Sequence, residues 1–198
     1  MSPRLRYLLK THRKNSFAWT LMKIRKMLHT KLIKMAAGPA PVLLNFNMEP
    51  QTQTNWCWAA TTKSVSYFYD SSSTWSQCLI AQQAFSGSSC CGNPAPCNQP
   101  WLLHQALAIT SNFVSYIGTL NFTGVEAQLL TGRVIGARTG WNGGGGHFMV
   151  IHGCRQRAGV NYLNIDDPIY GKSDIAETVF LSHYQGSGTW THSYFTKP

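Results

Sequence analysis

The chain has 198 residues, of which 43% are hydrophobic and 12% charged, a composition that suits one domain or two small lobes and argues against disorder. Its formal net charge is +10, but residues 1–35 hold ten of the seventeen Lys and Arg and no acidic residue. The other seven basic residues are balanced by all seven acidic ones, so the rest of the chain is neutral. This neutrality argues against a nucleic-acid-binding domain.

The basic segment at 1–35 carries the pattern of an amphipathic helix. Its apolar residues are spaced as on one helix face: Phe17, Leu21, Ile24, Leu28 and Leu32. Such a helix would suit a membrane surface or targeting, but we expect a leader or extension outside the fold, ending in the linker Ala36–Pro41. No stretch reaches the ~18 apolar residues that span a bilayer, so no stable membrane insertion is expected. We therefore assign residues 1–41 to the leader and 42–198 to the folded domain.

The sequence of residues 42–198 predicts an α+β fold in which helices precede strands. The first helix is predicted at 57–69, with Asn55 as its cap. A second is predicted to start at Pro100, and a third to follow a capping box at Thr123–Glu126. Short alternating or apolar spans between glycine-rich turns then predict antiparallel strands at Arg133–Arg138, His147–Gly153, Asn161–Asp166 and Thr178–His183. We expect a helical lobe over about 42–131, a β lobe over about 132–198, and a site in the cleft between them.

The cysteines predict a stapled loop. Four of the six lie within a segment rich in Gly, Pro, Ser and Asn: Cys78, Cys90, Cys91 and Cys97. A loop with little apolar material gains order from disulfides in an oxidising compartment, and the spacing lacks the two close pairs of a zinc site. Two pairings remain open, Cys78–Cys90 with Cys91–Cys97 or Cys78–Cys91 with Cys90–Cys97. Cys154 is left over, either free or paired with a cysteine of the cluster.

Cys57 has the context of a nucleophile, because it opens a predicted helix. Unpaired N–H groups and the positive end of the helix dipole favour the reactive thiolate there. The same N–H groups can hold an oxyanion, with the upstream amide of Gln51, or alternatively Gln53, as second donor. At least one of the flanking residues Trp56 and Trp58 is expected to be a core aromatic.

His147 is the predicted base. It follows four glycines and enters an apolar strand, whose alternation places His147 and His152 on opposite faces. A thiol–imidazole pair needs a third group to orient the ring. Asp166 and Asp167, at the end of the next strand, are both candidates, because a shift of one residue reverses a side chain.

Together these motifs resemble the papain-like cysteine proteases. Gln51, five residues, Cys57 and Trp58 form the nucleophile pattern, and the segment WCWAA at 56–60 resembles the bacterial AvrRpt2-like proteases. The motif GGHFMVI at 145–151 and the Asp-Pro pair at 167–168 continue the likeness, which covers roughly residues 48–170.

The resemblance implies a papain-like fold, in which the nucleophile helix packs on an antiparallel sheet or half-barrel. It implies a cysteine endopeptidase with a triad of Cys57, His147 and Asp167, where Asp167 is chosen because it directly precedes Pro. It also implies that no metal or organic cofactor is needed and that the substrates are proteins or peptides. Some related folds use Asn in place of this Asp. The family includes effectors delivered into host cells, but a stapled loop favours a secreted, extracellular protein.

Two alternative functions remain open at this stage. The same triad serves other amides in a leader peptidase, a peptidoglycan amidase or an acyl transferase. The second alternative is a disulfide-stapled binding or toxin module in which the site is an inactive relic. The sequence indicates neither the oligomeric state nor the preferred residue beside the cleaved bond.

Overall fold

The computed structural model describes residues 19–29, 40–86 and 88–198, and the chain divides into two units, Met1–Pro39 and Ala40–Pro198. In the first unit, residues 19–29 form helix α1, as the stripe predicted, with exposed Leu21, Ile24 and Leu28. Phe17, Leu32 and the linker residues 36–39 lie outside the described residues. Among the described helices, none has the length and apolarity needed to cross a membrane.

The second unit alternates helices and strands around one sheet. Its helices are α2 (Cys57–Tyr69), α3 (Gln77–Ala84), α4 (Leu103–Ile109), α5 (Phe122–Leu130) and α6 (Glu177–Ser182), with a 3₁₀ turn at Ala95–Cys97. Its strands are β1 (Val42–Leu43), β2 (Phe113–Ile117), β3 (Ile135–Trp141), β4 (Gly146–Arg157), β5 (Val160–Asp167), β6 (Gly171–Ala176) and β7 (Gly188–Thr196). All pairings in the sheet are antiparallel, in the order β2-β7-β3-β4-β5-β6, with β1 added to β4.

The helix predictions are confirmed in position but not in every cap. Helix α4 begins at Leu103 rather than at Pro100, because Leu102 is still extended. Asn121, not a capping box at Thr123, caps α5 by accepting from the Gly124 N–H. Asn55 does not cap α2, whose N-cap is Trp56.

The strand predicted at Thr178–His183 is wrong, because this segment forms helix α6. Only Phe180 within α6 is buried, and Tyr184 is the next buried residue, four positions later. That spacing belongs to a helix face, whereas a strand would bury alternate residues. Strands β1, β2, β6 and β7 were not predicted, and β1 and β2 show that the first half of the chain also contributes to the sheet.

The sheet is covered on both faces. Helices α2, α3 and α4 pack on one face in a core that includes Trp58, Leu107 and Val150, and α5 and α6 pack on the other. Along β4, Phe148 and Val150 belong to the first core and Met149 and Ile151 to the second. The predicted alternation of β4 is therefore confirmed, and its continuous apolar run is explained by burial on both faces. This is the predicted α+β arrangement, with helices packed on an antiparallel sheet.

Candidate active site

Cys57 is the first residue of α2, and 8% of its surface is exposed. The first turn of an α-helix has N–H groups without intrahelical partners. The N-cap residue is Trp56, whose indole is a donor only and therefore offers these N–H groups no acceptor. Cys57 and His147 line the same open cavity of about 380 Å³. A thiol, an imidazole and free backbone donors thus meet at one point of the surface.

The two tryptophans beside Cys57 attach the start of α2 to the stapled loop. The Trp56 indole donates to the Cys97 carbonyl at 2.8 Å, and the Trp58 indole donates to the Gln99 carbonyl at 3.0 Å. Asn55 donates two further hydrogen bonds to Asn98, from its backbone N–H to Asn98 Oδ1 and from its Nδ2 to the Asn98 carbonyl. Both tryptophans are buried, so both are core residues, and their hydrogen bonds hold the helix start at which Cys57 lies.

The disulfides follow the second of the two predicted pairings, Cys78–Cys91 with Cys90–Cys97. Cys57 and Cys154 are free and buried. The Cys90–Cys97 disulfide closes the loop at the residue whose carbonyl accepts from Trp56. It therefore holds the scaffold against which the start of α2 is placed.

Removing this disulfide with Cys90→Ala and Cys97→Ala is expected to lower both stability and activity. The closed loop spans a sequence separation of 7, for which chain entropy predicts a loss of about 2–3 kcal/mol in the free energy of unfolding. Misplacement of Cys57 is expected to lower kcat/KM about tenfold. Urea unfolding, carried out with Cys57→Ala and Cys154→Ala so that no free thiol remains for exchange, gives the first quantity, and a kinetic assay gives the second.

The matched control removes the other disulfide with Cys78→Ala and Cys91→Ala. Its sequence separation is 13, so the expected loss of stability is similar, about 3 kcal/mol. Because this pair tethers α3 and not residues 97–99, kcat/KM is expected to stay within about twofold of the parent. Equal losses of activity in the two double variants would contradict a positioning role for Cys90–Cys97.

His147 enters β4 and interacts with both Asp167 and Cys57. Its Nε2–H donates to Asp167 Oδ1 at 2.9 Å, and its other side-chain partner is Cys57, which lines the same cavity. Burial alone would lower the pKa of His147, but hydrogen bonds to Asp167 and Cys57, and then the charges of both groups, raise it to about 9. The ring also stacks on Trp141 and meets Tyr170 edge-on. The imidazole is therefore fixed in place and favoured in its protonated form.

Asp167, at the end of β5, is the carboxylate that contacts His147. Its Oδ1 also accepts from the Ile169 and Tyr170 N–H groups, and its Oδ2 accepts from the Tyr184 hydroxyl at 2.7 Å. Burial would raise the pKa of Asp167, but the His147 hydrogen bond and charge and the two backbone donors lower it. Asp167 is thus held as an anion under the imidazole.

Asp166 and His152, the alternatives to Asp167 and His147, have partners in other parts of the structure. Asp166 points to the opposite side, where its Oδ2 accepts from the Met48 N–H and lies 3.7 Å from Lys172 Nζ. His152 faces the helical core, and its Nδ1 bonds the Leu44 carbonyl. Strand register therefore separates Asp167 from Asp166, and His147 from His152.

Gln51 lies in the loop before Cys57, with its amide turned toward that loop. Its Nε2 donates to the carbonyls of Gln53 at 2.8 Å and Thr54 at 2.9 Å. Its backbone N–H donates to the Pro168 carbonyl, next to Asp167. Gln51 thus ties the segment before the nucleophile to the turn that carries the carboxylate.

Comparison with known proteins identifies the family of this chain. Residues 41–185 match the family model of the papain-like cysteine protease AvrRpt2. The chain belongs to this family. A solved structure from a study of the mite allergens Blo t 1 and Der p 1 matches with a TM-score of 0.48 and 12% identity, over 85% of this chain and 77% of that chain. A search among curated proteins finds no matching relative.

Membership in the papain-like protease family confirms the resemblance inferred from the motifs and supports a cysteine peptidase activity. Within the part of this protease that the structure describes, no group of three or more His, Cys, Asp or Glu is placed to hold a metal ion.

Several residues of this papain-like site were not predicted from the sequence. Tyr184 reaches Asp167 only through the tertiary fold, since it follows a short helix with no local motif. Burial, and then the Asp167 charge, raise the pKa of Tyr184, which keeps its phenol a donor. Trp141 had a usable signal, because it is the aromatic residue directly before the glycine-rich turn that leads to His147.

Proposed function

We propose that this chain is a secreted cysteine endopeptidase in which Cys57 is the nucleophile, His147 the general acid and base, and Asp167 the orienting group. One observation carries the proposal: the thiol at the start of α2 shares a cavity with its partner, an imidazole whose Nε2 bonds a buried carboxylate. That arrangement is the one a thiol needs to become a nucleophile at neutral pH. Family membership supports the same chemistry.

The reaction proceeds in two halves. The Cys57 thiolate attacks the peptide carbonyl and forms a C–S bond, and the tetrahedral oxyanion then collapses as the C–N bond breaks. Protonated His147 gives its proton to the leaving amine, which departs. In the second half, neutral His147 takes a proton from water as the water attacks the thioester, and the acid and the thiolate are released.

The oxyanion is held by the Cys57 N–H and by the Gln51 amide. The helix start supports the first donor, because Trp56 leaves the first-turn N–H groups uncapped. The second donor requires Gln51 Nε2 to exchange one of its two carbonyl partners, Gln53 or Thr54, for the oxyanion.

The proposal extends to domain organisation and location. Residues 1–41 are a leader or extension, and 42–198 form the protease domain. The two disulfides support an oxidising, extracellular setting for the mature protein. Its partners are protein or peptide substrates.

Peptides blocked at both ends test the function directly. We expect the protein to cleave a mixed library of acetylated, amidated peptides and an unfolded protein, because an endopeptidase needs no free terminus. Iodoacetamide is expected to stop the cleavage and to label Cys57, as located by peptide mass spectrometry.

Two results would contradict the proposal. One is a protein with an intact thermal unfolding transition that cleaves neither the library nor the unfolded protein. The other is cleavage that persists after Cys57 is fully alkylated. Hydrolysis of amide bonds in peptidoglycan or in leader peptides alone would assign the same triad to a different substrate.

A further inference from the structure

A second cavity, here called the side cavity, adjoins the catalytic one. It has a volume of about 280 Å³. The two cavities share part of their lining: Pro100, Trp101, Gly145, Gly146 and Phe148. Leu102 and Arg138 complete the side cavity. A substrate whose peptide bond lies at Cys57 therefore has a neighbouring side chain within reach of Arg138.

Arg138 is seated by the backbone around it. It lies on β3 directly across from Phe148 on β4, so the two side chains share a face. Its guanidinium crosses β4 over Gly146, where a Cβ would lie 2.5 Å from Nη2. Nη1 donates to Thr191 Oγ1 at 3.1 Å, and Nη2 donates to the Gly145 carbonyl at 3.0 Å. The glycine before His147 thus makes room for a fixed arginine.

The positive charge of Arg138 has no anionic partner in the part of the chain that the structure describes. The ion pairs there join other groups, and no Asp or Glu among the described residues lines either cavity. The nearby Asp167 side chain is 0% exposed and bonded to His147. A guanidinium has five N–H donors, of which the two bonds described above use two. The side cavity therefore combines apolar walls with unused cationic donors.

We propose that the side cavity binds the carboxylate side chain of a substrate residue close to the cleaved bond, and that Arg138 determines this specificity. The proposal rests on the peptidase function proposed above. A glutamate places its CH₂ groups against Phe148 and Trp101. Its carboxylate lies on the guanidinium and accepts two parallel hydrogen bonds from it. A partly desolvated cation in apolar walls selects strongly for an anion over its neutral isostere.

Matched peptides test this selectivity. Blocked peptides that differ only by Glu, Gln, Lys or Phe are compared at each position within three residues of the cleaved bond. At one position we expect kcat/KM for Glu to exceed that for Gln by about tenfold or more, and this ratio to shrink when salt is raised from about 50 to about 500 mM. Arg138→Met is expected to bring the ratio near one, and Arg138→Glu to favour Lys.

Two further variants separate charge from structure. Arg138→Lys keeps the charge but not the planar fork, so an intermediate Glu preference is expected. Arg157→Met removes an exposed arginine at the far end of β4 and is expected to leave the ratio unchanged.

If Arg138→Met does not fold, the ratio of kcat/KM for the Glu peptide to that for the Gln peptide in the unaltered protein is sufficient to test the specificity proposal. Peptide cleavage with Glu and Gln within about twofold of each other at every position overturns the specificity proposal and leaves the peptidase intact. A preference for Phe that survives in Arg138→Met also overturns it, because the cavity is then simply apolar. Failure to cleave any peptide overturns the peptidase function, and the specificity proposal with it.

Discussion

The Cys57→Ala variant is expected to lose peptide hydrolysis by at least about 10⁴-fold, while Cys154→Ala retains it within about twofold. Both residues are free, buried thiols, so the pair separates nucleophile chemistry from the mere presence of a cysteine. Cys57 opens α2 beside His147, whereas Cys154 lies in the core on the other face of the sheet. Burial, and then Glu126, raise the pKa of Cys154 to about 11, which keeps it a neutral thiol.

The measurement is kcat/KM on one blocked peptide for the parent and both variants, with thermal unfolding as the control for folding. Alanine in place of the small Cys57 side chain is expected to leave the unfolding midpoint nearly unchanged, because it removes one sulfur from a partly open position. Residual hydrolysis by Cys57→Ala above about one part in 10³ would contradict a thioester route. If Cys154→Ala loses activity while its fold is intact, the proposal has named the wrong cysteine as the nucleophile.

Cys57 and His147 have local sequence signals, which is why the sequence alone could single them out as the proposed nucleophile and base. Cys57 stands at a helix start between two tryptophans, and His147 stands after a glycine run at the entry of an apolar strand. Each pattern depends on residues within a few positions in the chain. The structure brings the two side chains together as partners in one cavity. Local periodicity was also sufficient to predict helix α2 and strand β4.

The choice between Asp166 and Asp167 as the proposed orienting carboxylate depends on strand register, which local sequence patterns leave open. Asp166 and Asp167 are adjacent and chemically alike, and only the pairing of β5 in the sheet turns Asp167 toward His147 and Asp166 toward Met48. The resemblance, through Asp followed by Pro, supplied a choice that periodicity did not. Gln51 shows the same limit, because a sequence does not indicate where a side-chain amide points.

Strand β7 was missed because its alternation is interrupted. Its pairing with β3 shifts between Arg138 and Thr139, which leaves Thr191 as an extra residue. The side chains before and after this bulge therefore fall out of a simple period of two. The same Thr191 accepts a hydrogen bond from Arg138, so the irregularity that hid the strand also helps to build the side cavity.

Asp167→Asn is expected to move the alkaline limit of activity to lower pH. The charge of Asp167 favours protonated His147, and its loss lowers the pKa of the ring from about 9 toward, or below, the ordinary value of 6.5. A return to the ordinary value alone reduces the protonated fraction about thirtyfold at about pH 8 and little at about pH 5. Asparagine keeps an acceptor for Ile169 and Tyr170, and the Tyr184 hydroxyl can rotate to accept from its NH₂ group.

The full pH dependence of kcat/KM measures this effect, with Tyr184→Phe as the matched control. That variant removes the donor to Oδ2 but keeps the negative charge, so its alkaline limit is expected to stay at or slightly above that of the parent while the rate falls only a few-fold. The two variants thus disturb the same carboxylate with opposite consequences for the imidazole. An Asp167→Asn profile that is lowered equally at every pH would mean that Asp167 orients the ring without setting its charge. An unchanged profile would remove Asp167 from the site altogether.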